Sequence, residues 1–237
     1  MNNGKKNQQA RINLVQQEDF HLNKLFREFR TTEDFGTECD SIRRITPEDQ
    51  RAIDIIEKGT KHLTPGYEIP LPWKTNEPNL QNNRAYAIHR LNGLCQCFRR
   101  EPDYQEEYHQ AIQKYLDMGY ASKVKDEDVG GHNEFYLPHH GVFKNSLTKK
   151  KLRVVFDSAA PLKGKCLNDT LITGPNLMND LPTVLIRFRE GAIAVTADIE
   201  AMFSRIRMKK EDARYHRFLW RPPGSEDIIT YQMDHLR

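Results

Sequence analysis

The chain of 237 residues predicts a mixed α+β fold, helices first and strands after. Three observations carry this. Apolar residues recur at helical spacing up to about residue 118, and from residue 135 they gather in short β-type runs. Two polar turn signals, residues 145–150 and Pro222-Pro223-Gly224, each separate a pair of those runs.

Residues 1–16 are rich in Asn, Gln and Lys and are expected to be disordered. Leu22, Leu25, Phe26 and Phe29 suit a short amphipathic helix over 18–30. Thr46-Pro47-Glu48-Asp49 supplies an N-cap, a first-turn proline and first-turn acids. The helix it opens places Ile53 and Ile56 on one side and ends near Gly59. Tyr67, Ile69 and Leu71 alternate in a short extended segment, and Pro70, Pro72 and Pro78 make the stretch to about residue 80 read as a linker. These features predict a helical and linker region over 17–80.

Two helices follow. Ala85, Ile88, Leu91, Cys95 and Phe98 form one stripe; Tyr108, Ala111, Ile112 and Tyr115 form another, with Gly119 placed to end it. The gap Glu101-Pro102-Asp103 suggests an antiparallel pair. Beyond them lie the runs Phe135-Tyr136-Leu137, Gly141-Val142-Phe143-Lys144 and Leu152-Arg153-Val154-Val155-Phe156, the last two as a hairpin. Leu181, Leu185 and Phe188 mark a helix with Pro182 in its first turn. Residues 192–197 read as a buried strand, and Phe218-Leu219-Trp220 with residues 228–233 as a second hairpin.

Composition bounds the function. The chain is 38% hydrophobic and 29% charged, with a formal net charge of +3. No run of about 18 apolar residues exists, and Met1-Asn2-Asn3-Gly4-Lys5-Lys6 does not open a signal peptide, so an intracellular, non-secreted protein off the membrane is expected. Four cysteines in a chain of this length predict no disulfide partner. The charge is uneven. Residues 141–165 hold seven Lys or Arg against the single acid Asp157, and residues 187–221 hold nine against five. Fixed positive charge of this kind attracts polyanions; a solvated basic surface is the plainer alternative.

Several residues are candidates for chemistry. Asp198 ends the small and β-branched run Ala194-Val195-Thr196-Ala197, where a carboxylate can hold a hard cation such as Mg²⁺; capping of a following helix is the simpler role. Arg153 and Asp157 share a strand face by their even spacing, with Lys144 on the partner strand. That grouping suits either a triphosphate clamp or a cross-strand salt bridge. His132, His139 and His140, and Cys95-x-Cys97, lack the paired spacing of a zinc site. No P-loop, Gly-x-Ser-x-Gly or His-Glu-x-x-His pattern is present.

Three segments together resemble a reverse transcriptase of the Pao/BEL class of long-terminal-repeat retrotransposon polyproteins. They are Tyr136-Leu137-Pro138-His139-His140-Gly141-Val142-Phe143-Lys144; Lys151-Leu152-Arg153-Val154-Val155-Phe156-Asp157-Ser158-Ala159 with Leu167-Asn168-Asp169 and Gly174-Pro175-Asn176-Leu177; and Ala197-Asp198-Ile199-Glu200-Ala201-Met202-Phe203 continuing to Arg217-Phe218-Leu219-Trp220-Arg221. The resemblance covers residues 80–237 well and 18–80 more loosely.

It implies a partial polymerase domain over 81–237, fingers and the start of a palm, preceded by a helical segment. It implies that Asp198 is the first catalytic aspartate and a Mg²⁺ ligand, with Ile199 adding its backbone carbonyl. Phe203 would be the steric gate against a ribose 2′-OH, Lys144 and Arg153 would hold the triphosphate, and Asp157 would end the fingers strand. The implied partners are an RNA or DNA template-primer and a deoxynucleoside triphosphate, and the implied setting is cytoplasmic, within virus-like particles, or nuclear. The family's Tyr-x-Asp-Asp pair is absent from the 237 residues. Because two-metal phosphoryl transfer needs several carboxylates, these residues alone are expected to be inactive. The alternative is a non-catalytic nucleic-acid-binding protein of transposon origin.

Overall fold

A computed structural model describes residues 45–131, 133–145 and 150–236; the helix expected over 18–30 and the disordered tail expected over 1–16 lie outside them. Thr46–Arg237 form one compact unit. Helix α1 (Pro47–Gly59) begins as its sequence dictates. The Thr46 hydroxyl accepts from the Asp49 backbone N–H at 3.1 Å, and Asp49 accepts from the Thr46 N–H at 3.1 Å. This reciprocal box satisfies two donors that the helix cannot bond internally.

Strands β1 (Lys61–Leu63) and β2 (Gly66–Ile69) pair antiparallel. The stretch after β2 is a correction to the expected linker. Its prolines keep it extended, but Leu71, Trp73 and Leu80 are buried in the core. Asp212, itself buried, accepts from the Leu71 N–H at 2.8 Å and from Trp73 Nε1 at 2.7 Å. Those bonds tie the prolines to the far end of the chain.

Helices α2 (Arg84–Arg100) and α3 (Pro102–Asp117) share Glu101 as cap. In α2 the buried positions are Ala87, Leu91 and Phe98; Ala85, expected on the stripe, is exposed. In α3 they are Tyr108, Ile112 and Tyr115, as spaced. Gly119 ends α3 with φ of +67°, and the N–H groups of Gly119 and Tyr120 reach back to the carbonyls of Leu116 and Tyr115 at 3.0 and 2.8 Å. Only a residue without Cβ adopts that conformation without strain.

Strand β3 (Ala121–Lys123) leads out of α3. The hairpin of β4 (His139–Asn145) and β5 (Lys150–Phe156) is a separate two-stranded sheet. Helix α4 (Leu181–Arg187) is capped by Asp180, which accepts from the Thr183 N–H. Strand β6 (Ile206–Met208) pairs in parallel with β2, and α5 (Lys210–Ala213) follows. Strands β7 (Arg217–Trp220) and β8 (Ile229–Met233) form the second expected hairpin, and β3 completes that sheet in the order β3-β8-β7.

The core is aromatic. Phe98 meets Tyr104, Tyr108 and Trp220 edge-on at centroid distances of 5.2, 5.2 and 5.9 Å, and Tyr108 stacks on Trp220 at 5.3 Å. Burial of each such ring stabilises by about 2–3 kcal/mol, and ring pairing adds roughly 0.5–1.5 kcal/mol.

Residues 192–197 overturn the expectation of a buried strand. They are irregular and exposed, with Ile193 at 85% and Val195 at 79% of full accessibility. A strand exists only by exchanging hydrogen bonds with a neighbour. No described strand lies alongside this run, so its β propensity finds no ladder to join.

Candidate functional site

The β4–β5 hairpin has two chemically distinct faces. Its register pairs His139 with Phe156, Gly141 with Val154 and Phe143 with Leu152; these residues form one face. Val142 pairs with Arg153, and together with His140, Lys151 and Val155 these form the other; the backbone of Lys144 pairs with Lys151. The first face packs on α3. Tyr104 lies 5.5 Å from the Phe143 ring, and Tyr115 lies 6.1 Å from Phe156. An added Cβ at Gly141 would sit 2.5 Å from the Tyr104 hydroxyl and 2.7 Å from Leu152 Cδ1, so glycine is what lets helix and strand close.

His139 fixes the base of this face. It is buried, with Nε2 2.7 Å from the Leu219 carbonyl and Nδ1 2.5 Å from the Tyr108 hydroxyl. A carbonyl can only accept, so Nε2 carries the proton and Nδ1 accepts from Tyr108. Burial lowers the imidazole pKa from 6.5 to about 4, against the smaller opposing effect of the Leu219 bond. His139 therefore serves the core as a neutral ring.

The second face points to solvent. His140, Val142, Lys151, Arg153 and Val155 are all exposed. Arg153 joins no ion pair among the described residues, so the cross-strand salt bridge is not what holds it. Asp157 turns elsewhere: its carboxylate accepts from the Ala159 N–H at 3.1 Å, while its own N–H donates to the Pro138 carbonyl at 2.8 Å.

Asp198, Ile199 and Phe203 lie in the exposed chain between α4 and β6. Asp198 Oδ1 accepts from the neighbouring Ile199 N–H at 2.9 Å and caps no helix. Ile199 is 61% and Phe203 59% exposed, the latter opening the 3₁₀ turn Phe203–Arg205. No hydrogen bond or ion pair links Asp198 or Phe203 to the hairpin among the described residues. Nor do three or more His, Cys, Asp or Glu converge anywhere among them as a metal-holding group. Asp198 is thus a solvated carboxylate with one oxygen turned to a neighbouring N–H.

A buried charged group escaped the sequence. Glu134 is 3% and Arg217 6% exposed, and they pair at 2.7 Å. Glu134 also accepts from the Tyr136 hydroxyl at 2.7 Å and from the N–H groups of Gly131 and Gly130 at 2.7 and 3.2 Å. Burial alone would raise the carboxyl's pKa, but these donors and Arg217 together hold it below its ordinary value. Arg217 Nη1 also donates to the Asp128 carbonyl at 2.9 Å. The acid and the base stand 83 residues apart in sequence, so no local pattern announces the pair.

Neither the protein-family models nor the curated proteins compared with the chain match it. No described helix is long and apolar enough to cross a membrane, and Cys95, Cys97 and Cys166 are free thiols.

Proposed function

We propose that these residues are the leading part of an RNA-directed DNA polymerase of the Pao/BEL retrotransposon class, comprising fingers and the beginning of a palm. The observation that carries this reading is the hairpin register. It sets Arg153 and Lys151 on an outward face with the backbone of Lys144 opposite, while the reverse face is anchored on α3. Unpaired cations on a rigid support suit a triphosphate, because a guanidinium offers a fork and an ammonium a point charge. The triphosphate and the template-primer are the ligands of this proposal. Asp198 is its metal-binding aspartate and Phe203 its sugar gate, in an enzyme that also carries further carboxylates.

The second reading, a non-catalytic nucleic-acid-binding protein, draws on the same basic face and on the lack, among the described residues, of three or more metal-ligating side chains grouped together. Two assays on the 237-residue chain separate them. Primer extension on an RNA template with Mg²⁺ should give no product, and robust synthesis would contradict the single-carboxylate argument. Binding of a labelled primer-template should weaken steeply with salt, as phosphate contacts require. No binding at low salt would remove both readings.

A further inference from the structure

Away from the hairpin, an open cleft of about 610 Å³ lies between β3, the loop after it, α5 and the start of β7. Lys123 and Lys125 enter it from the β3 side, Lys210 and Arg214 from the α5 side, and Arg217 lines it too. Lys123 and Lys210 are exposed and join no ion pair among the described residues. Arg214 is held in place, its Nε donating to the Glu211 carbonyl at 2.9 Å and its guanidinium 5.4 Å from the Tyr215 ring centre.

Two acids also line the cleft. Glu134 has both carboxylate oxygens committed to Arg217, Tyr136 and two backbone N–H groups. Asp128 is exposed, and its backbone carbonyl fixes Arg217. Arg217 Nε–H, buried, has no acceptor. Lys125 reaches Glu127 at 3.5 Å, an exposed pair of little strength. The cleft therefore carries an excess of cations on two walls above a rigid buried ion pair.

We infer that this cleft binds the sugar-phosphate backbone of a nucleic-acid strand, independently of sequence. Among the described residues no aromatic side chain lines it, so they offer phosphate contacts without a platform for stacking bases. Its charges stand on separate walls of an open groove, which suits a chain of phosphates passing through more than one compact anion. The inference rests on the polymerase reading only in choosing nucleic acid among polyanions.

The test is fluorescence anisotropy with the full chain and two labelled probes, a single-stranded oligothymidylate and its abasic counterpart. Both probes should bind alike. Lys123→Glu/Lys210→Glu should weaken binding at least tenfold at low salt. It should also flatten the slope of log affinity against log salt by about 1.4, from roughly 0.7 for each lost contact. Both substitutions are at exposed positions, and an unchanged thermal melt confirms the fold. Affinity within twofold of wild type would overturn the inference. So would much tighter binding of the base-bearing probe, or inorganic tripolyphosphate competing as well as the oligonucleotide at equal phosphate concentration. Lys151→Glu/Arg153→Glu distinguishes the two faces. If only that variant loses binding, the cleft proposal fails and the hairpin reading survives; if only the cleft variant does, the reverse holds.

Discussion

At the scale of single residues, His139 shows how burial converts a titratable side chain into a stability switch. Its folded pKa of about 4 lies below the ordinary 6.5, so the unfolded chain binds the proton first. The neutral ring's contribution is complete above about pH 6.5 and is lost as pH falls toward 4, a loss of roughly 3 kcal/mol. Glu134, whose pKa is also lowered, acts in the same direction at lower pH as its carboxylate is protonated. Urea denaturation at pH 7 and pH 4.5 should therefore give a markedly lower midpoint in acid; a flat profile would contradict the buried, neutral assignment. Glu134→Gln should cost about 3–5 kcal/mol, because it strands the buried Arg217 charge. A denaturation curve matching wild type would show that charge to be solvated. Neither residue's role was legible beforehand. His139 stood in the sequence beside other histidines, and its partners Tyr108 and Leu219 come from distant elements.

At the scale of elements, legibility follows the range of the interaction. The start of α1 is written in four consecutive residues, the end of α3 in one glycine, and the β4–β5 hairpin in alternation across a polar turn. Residues 192–197 carry equally strong β propensity but form no strand, since a ladder needs a partner that propensity does not supply. The site divides the same way. Which face Arg153 occupies follows from counting by two; that Asp198 stands alone and exposed does not. The hairpin's attachment to α3 depends on the close approach at Gly141. Gly141→Val should destabilise the fold by about 1–3 kcal/mol through overpacking against Tyr104 and Leu152, and should speed amide exchange in β4. Unchanged exchange would mean that the hairpin stands without α3.

At the scale of the whole molecule, the aromatic core and the segment after residue 176 contrast. Leu177, Met178, Leu181, Ile193 and Val195 are each more than 60% exposed, and Leu185 of α4 and Phe188 just after it are also open. Exposed apolar side chains in this number favour association. Sedimentation should show self-association rising with protein concentration, reduced by Ile193→Ser/Val195→Ser. A strictly monomeric wild type would show the segment to be covered in solution.

The modest net charge of +3 conceals two basic surfaces, the outward face of the hairpin and the cleft beside β3. The polymerase reading asks more of the first than attraction to nucleic acid: it must prefer a triphosphate. Equilibrium dialysis of the 237-residue chain against dTTP and dTMP, with wild type and Arg153→Ala, measures this directly. The account predicts that wild type binds dTTP more tightly than dTMP and that Arg153→Ala loses that preference at least tenfold. Equal binding of the two nucleotides, or a preference untouched by Arg153→Ala, would contradict it.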